Sequence, residues 1–207
     1  MIRSFKSKAL KRFWSENNSS GIRNDHVEKI ELILGALNRA AKPGDLNRPS
    51  FGFHALKGNM AGRYAVKVNA NWPITFGWDD NGPAAIDTDY EDYHLEIAMT
   101  TKTAASIKPH PDFRMAHPGE LLAEDIATSR QNKTALAQRL GITRKMLYDI
   151  LDGTSAVTAN MALKLEAGVG SSAEFWLGLQ MQHDLWKARK AAAVAPVKPA
   201  RAKKRAA

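Results

Sequence analysis

The chain has 207 residues, 44% of them hydrophobic and 25% charged, with a formal net charge of +9. It contains no cysteine, which excludes disulfides and thiolate metal sites. No apolar run approaches the ~20 residues of a membrane-spanning helix, and the basic amino terminus lacks the apolar stretch of a secretory signal, so a cytoplasmic protein is expected. The positive charge is unevenly placed. Residues 1–98 hold 13 Lys and Arg against 12 Asp and Glu, residues 99–186 hold 9 of each, and residues 187–207 hold 8 basic and no acidic side chains. That tail alternates Ala, Pro and Lys or Arg without an apolar face and reads as disordered. It can follow phosphates non-specifically or simply keep the chain in solution, so the globular parts have to be judged by motif.

Taken in chain order, Phe5, Ala9, Phe13 and Trp14 recur at helical spacing until Gly21. Asn24 or Asp25 can cap a second helix with an apolar stripe of Val27, Ile30, Leu34 and Leu37, closed by Pro43-Gly44. The period then changes to two. Tyr64, Val66 and Val68 alternate in one strand; Trp72, Ile74, Phe76 and Trp78 alternate in the next, with both tryptophans and Trp14 expected in the core. Asp79-Asp80-Asn81-Gly82 supplies a tight turn, and Ile86, Thr88 and Tyr90 make a last strand. Two helices and an antiparallel sheet form a small α+β domain. From Leu95 to Ala116 no period persists, and Pro109 and Pro111 mark a linker that reaches up to roughly 70 Å if extended. Five helices are expected near 118–127, 132–140, 143–151, 158–168 and 172–189. Pro118 suits a first helical position, Glu120 its first turn, and Asn132, Thr143, Thr158 and Ser171 or Ser172 are suited to caps.

Leu56-Lys57-Gly58, Gly62-Arg63-Tyr64, Val68-Asn69-Ala70-Asn71-Trp72, Ile74-Thr75-Phe76 and Tyr90-Glu91-Asp92-Tyr93-His94 carry a likeness over residues 1–94. This half resembles the HigB-type toxins of the RelE superfamily. The resemblance implies a metal-independent endoribonuclease that cuts messenger RNA on the ribosome, with His54, Lys57, Asp92, Tyr93 and His94 at its catalytic positions. The residue types suit that chemistry. His54 can give or take a proton near neutral pH, Asp92 can act as base or orient a histidine, Lys57 can stabilise charge on the phosphate, and Tyr93 can stack on a base. Where many relatives carry arginine, this chain has Met60, Asn69 and Pro73, which cannot form bidentate phosphate contacts.

Leu136-Ala137-Gln138-Arg139-Leu140-Gly141-Ile142 and Ile150-Leu151-Asp152-Gly153, within a stretch from His117 to Gln180, carry a second likeness. This half, residues 117–186, resembles the HigA-type antitoxins among the Xre-like helix-turn-helix regulators. Ala137 and Gly141 permit a close crossing and a sharp turn, while Ile142, Leu147, Ile150 and Leu151 pack the second helix. Thr143, Arg144, Lys145 and Tyr148 are left outward for bases and phosphates. Lys133 and Thr134 open the preceding helix, where a phosphate can be anchored. Phe175, Trp176 and Leu179 resemble the region through which these antitoxins pair, so a homodimer through this half is expected. His110, His117 and His183 lack metal spacing, and no metal or cofactor is expected. The two halves, a linker at 95–116 and the tail at 187–207 read as a toxin–antitoxin fusion, with Met99 resembling a former start. Its partners would be translated mRNA, operator DNA and its own other half, with no membrane. The alternative is a DNA-binding repressor whose toxin half is catalytically inactive.

Overall fold

The computed structural model describes residues 1–90 and 107–194. Ser7 starts the first helix, α1 (Lys8–Glu16), by accepting the Leu10 N–H on its hydroxyl at 3.2 Å. Residues before that cap are extended, so Phe5 lies outside the expected helix. Ile2 and Phe5 instead bridge in parallel to Ala85 and Thr88 at the edge of the sheet. A short 3-10 turn, Asn24–His26, leads into α2 (Val27–Arg39) without a side-chain cap, because Asp25 is engaged by Arg23 at 3.1 Å. The buried face of α2 carries Ile30, Ile33, Leu34 and Leu37.

Four antiparallel strands follow in the order β1 (His54–Ala55), β2 (Arg63–Lys67), β3 (Pro73–Asp79) and β4 (Ala84–Tyr90). Strand β1 has two residues, too few to show a period, and is absent from the sequence expectation. Pro73 takes the first position of β3, where a missing N–H costs the ladder least. Val66, Ile74 and Phe76 face the core as the alternation requires. The other face of β3 is also buried, since Arg63 lies across it and donates to Thr75 Oγ1 (3.2 Å) and the Asp87 carbonyl (2.8 Å). A bulge places Thr75 opposite Asp89 but Gly77 opposite Ile86, with Asp87 at φ 49°. Trp14 is fully buried as expected. Trp72 and Trp78 are only half-buried, at the ends of β3.

The second part holds α3 (Pro118–Ser129), α4 (Lys133–Arg139), α5 (Arg144–Leu151), α6 (Ala159–Val169) and α7 (Ala173–Val194). His117 and Glu120 form a reciprocal capping box around Pro118. Asn132, Thr143 and Thr158 each accept a backbone N–H of the first turn, as their positions predict. Helix α4 ends in a Schellman motif: Ile142 N–H reaches the Ala137 carbonyl (3.0 Å), Gly141 N–H the Gln138 carbonyl (3.0 Å), and Gly141 supplies φ +60°. The chain then turns sharply into α5.

Residues 107–116, expected as linker, dock on the first half. Trp14 Nε1 donates to the Ile107 carbonyl (2.8 Å), and the Phe113 ring meets Phe13 and Trp14 edge-on at 4.9 and 4.8 Å. One continuous apolar core therefore runs from α1 and α2 through Phe113 into α3 and α7.

Candidate functional site

His54 sits on the edge strand β1 with its ring exposed. Its Nδ1–H donates to the Gly52 carbonyl at 3.0 Å, which is the only role a carbonyl permits. In the neutral ring that bond selects the Nδ1–H tautomer, which leaves Nε2 as the acceptor. Lys57 lies three residues on, exposed, just before the 3-10 turn Gly58–Met60. The hairpin between β1 and β2 thus presents an imidazole and an ammonium together. Asp92, Tyr93 and His94 lie outside the described residues.

The three positions lacking arginine are built into the fold. Pro73 is buried and Met60 half-buried. Asn69 closes the 69–72 turn, its Oδ1 accepting the Asn71 and Trp72 N–H groups (2.9 and 3.0 Å). Its amide nitrogen then faces His26 Nε2 at 2.6 Å, while His26 Nδ1 meets the Tyr90 hydroxyl at 2.6 Å. His26 is buried, and that burial lowers its pKa. With Asn69 committed as donor, His26 is the Nδ1–H tautomer and donates to Tyr90. Trp72 packs on this cluster, its ring 4.9 Å from that of Tyr90. No periodicity marks His26, so sequence reasoning passed over it.

On the second half, Arg144, Lys145, Met146 and Tyr148 are exposed along α5. Arg144 makes no hydrogen bond among the described residues. Lys145 pairs with Asp149 at 2.7 Å one turn on, and Lys133 lies 4.9 Å from the Tyr148 ring, so α4 and α5 share one basic face. Thr134 is half-buried at the start of α4. Thr143 is committed to its cap, accepting Met146 N–H at 3.1 Å, which leaves its hydroxyl proton available.

A third group, unread in the sequence, joins the halves. Arg48, 3% exposed, reaches Asp125 on α3, 2% exposed, through a buried ion pair. Its other amine donates to Ser171 Oγ (2.9 Å), its plane lies 4.3 Å from the Trp176 ring, and Ser50 caps the free oxygen of Asp125 (2.7 Å). Burial pushes the Arg48 pKa down against the opposing pull of Asp125. Nearby, Arg114 links Glu31 on α2 (2.8 Å) to Glu120 on α3 (2.9 Å), and Lys29 pairs with Glu124. Asp125 lies within the buried stripe of Leu121, Leu122 and Ile126; a carboxylate there was the available signal. Phe175, Trp176 and Leu179, expected at a dimer surface, are buried within this chain. His54 and Lys57 remain exposed.

Residues 3–94 match the family described as the RelE-like toxin of the type II toxin–antitoxin system HigB. The chain is 43% identical over 94 residues to the endoribonuclease HigB of Proteus vulgaris, spanning 45% of this chain and 100% of that protein. The chain belongs to the HigB-like toxin family. Its second half is similar to HigA-type antitoxins. Antitoxin HigA-1 of Vibrio cholerae is 40% identical over 55 residues, 27% of this chain and 51% of its own length, so the chain spans about half of that relative. The solved antitoxin HigA of Pseudomonas aeruginosa with the higBA promoter is 30% identical, covering 42% of this chain and 98% of its own, with a TM-score of 0.38. Among the described residues no cluster of His, Asp and Glu has the arrangement of a metal site, and no helix is long and apolar enough to cross a membrane.

Proposed function

We propose that residues 1–94 of this toxin–antitoxin fusion are an endoribonuclease acting on mRNA held by the ribosome. We further propose that the helical half restrains it and represses the module's own operator. The observation that carries the first part is the His54 ring, held by Gly52 with Nε2 free, on one exposed hairpin with Lys57. In the reaction the 2′-oxygen attacks phosphorus as its proton passes to a base. The P–O5′ bond breaks, and the leaving oxygen takes a proton from an acid. His54 and Asp92 fill these proton roles with His94, Lys57 stabilises the extra charge on phosphate, and Tyr93 holds a base.

Because His54 and Lys57 stay exposed in the joined chain, restraint comes from bulk fixed on α2 and the 45–51 loop rather than from a lid over the hairpin. Operator reading rests on the basic face of Lys133, Thr134, Thr143, Arg144, Lys145 and Tyr148. In a two-fold dimer two such faces would meet successive half-sites. With Phe175 and Trp176 buried, that dimer forms through other side chains. Growth of cells expressing residues 1–94 against the full chain tests the module: arrest with the first and tolerance of the second is expected. Equal tolerance of a folded, soluble fragment contradicts it.

One observation favours a second reading. Asn69 and Pro73 are fixed structural parts where the family resemblance implies arginine in many members, which suits a DNA-binding repressor with an inactive toxin half.

A further inference from the structure

Where the end of α2 meets α7, the chain forms a cleft of about 480 Å³, walled by both halves and by residues 108–115. Neither the β1–β2 hairpin nor the recognition helix takes part in it. Its polar lining is one-sided. Arg39, Lys108 and Arg189 bring fixed positive charge, and no Asp or Glu among the described residues lines it. Three side-chain acceptors that border it are engaged: Asn38 Oδ1 takes the Ile2 N–H (3.2 Å), Gln182 Oε1 takes the Asn38 amide (2.8 Å), and His110 Nδ1 takes the Asp112 N–H (3.1 Å). Two donors have no partner. Arg39 Nε and Trp186 Nε1 are buried without a hydrogen bond, and neither group can accept one. Both atoms are closed to solvent, Arg39 Nε against Gly178 on α7, so they lie beneath the cleft surface.

Lys190 Nζ, 4.8 Å from the Trp186 ring, and the His183 ring, 5.8 Å away, flank the indole. Phe113, Met181 and Leu185 complete an apolar wall. Three cations with no facing carboxylate among the described residues match an oxyanion with more than one charge, and arginine forks suit phosphate. The apolar wall and a volume within the ~300–1,000 Å³ of small-molecule sites suit an attached ring system. We propose that this cleft binds a nucleoside polyphosphate, with Arg39, Lys108 and Arg189 on the phosphates and the apolar wall against the base. Such a ligand would bridge the toxin and antitoxin halves.

Titration calorimetry of the full chain with ADP, and with pyrophosphate and adenosine in separate arms, tests it. One ADP per chain is expected, with pyrophosphate weaker and adenosine weaker still. The pair Lys108→Gln and Arg189→Gln, both at exposed positions, should weaken ADP at least tenfold. The pair Arg144→Gln and Lys145→Gln removes equal charge elsewhere and should leave affinity unchanged. Absence of saturable binding at millimolar ADP, or equal weakening by both charge pairs, overturns the site. Adenosine binding as tightly as ADP overturns the phosphate assignment, and pyrophosphate doing so overturns the nucleoside part.

Discussion

His117 caps α3 through Nδ1, which accepts the Gly119 N–H at 3.0 Å, and that acceptor exists only while the imidazole is unprotonated. Burial first, and His183 second, hold its pKa below the ordinary 6.5. The unfolded chain therefore takes the proton more readily than the folded one. This contribution to stability is present above about pH 6.5 and is lost as pH falls from there toward the folded value. Denaturant midpoints of wild type and His117→Asn, which keeps a capping side chain without titrating, should diverge between pH 7 and 5, wild type falling more steeply. Parallel curves would remove His117 from the account. Two residues on, Gly119 lies so close to α5 that a Cβ would stand 1.8 Å from the Ile150 carbonyl oxygen. Alanine is favoured over glycine inside a helix by about 1 kcal/mol, but the collision dominates. Gly119→Ala should lose about 3 kcal/mol or more in equilibrium unfolding; a neutral result would mean that α3 and α5 are not so closely crossed.

The buried Arg48–Asp125 pair ties an irregular loop of the toxin half to α3 of the antitoxin half. Removing one partner strands the other, so Arg48→Ala or Asp125→Ala should each cost about 3–5 kcal/mol, and the double variant much less than their sum. Additive losses would show that the two do not act together. On α5, Arg144 is exposed and makes no bond within the described residues, so Arg144→Ala should cost about 1–3 kcal/mol on the operator and little on scrambled DNA. Titration of both duplexes at several salt concentrations checks this, and an unchanged ratio between them would count against α5 as the reader. The helices of the second half were legible because their starts are local: Asn132, Thr143 and Thr158 sit one residue before helices they cap. Strand β1 was not, since two residues carry no period. The docking of 107–116 was also hidden, because Pro109 and Pro111 break any pattern and Phe113 is a lone apolar residue whose partners, Phe13 and Trp14, lie about a hundred residues away. His54 and Lys57 were singled out through the family resemblance alone, and the structure adds that both are exposed. The Arg48–Asp125 pair and the His26–Asn69–Tyr90 cluster depend on long-range packing that spacing does not encode.

Across the whole molecule, toxin and antitoxin share a core rather than meeting through a free tether. A flexible linker alone would present the antitoxin at about millimolar effective concentration. Here residues 107–116 are themselves packed on α1, and α2 and α7 are joined by Gln182, which donates to the Gly35 carbonyl at 3.2 Å and accepts from Asn38. The junction covers the α2 side and leaves the β1–β2 hairpin exposed, so under the proposed function an RNA-cutting centre is restrained by what is attached to it rather than covered. Mapping new 5′ ends on a defined transcript in a reconstituted translation reaction tests that most directly. Residues 1–94, shown to be folded, should produce cleavage that His54→Ala lowers at least ~100-fold, and the full chain should produce little. Cleavage unaffected by His54→Ala, or none from the folded fragment, would contradict it.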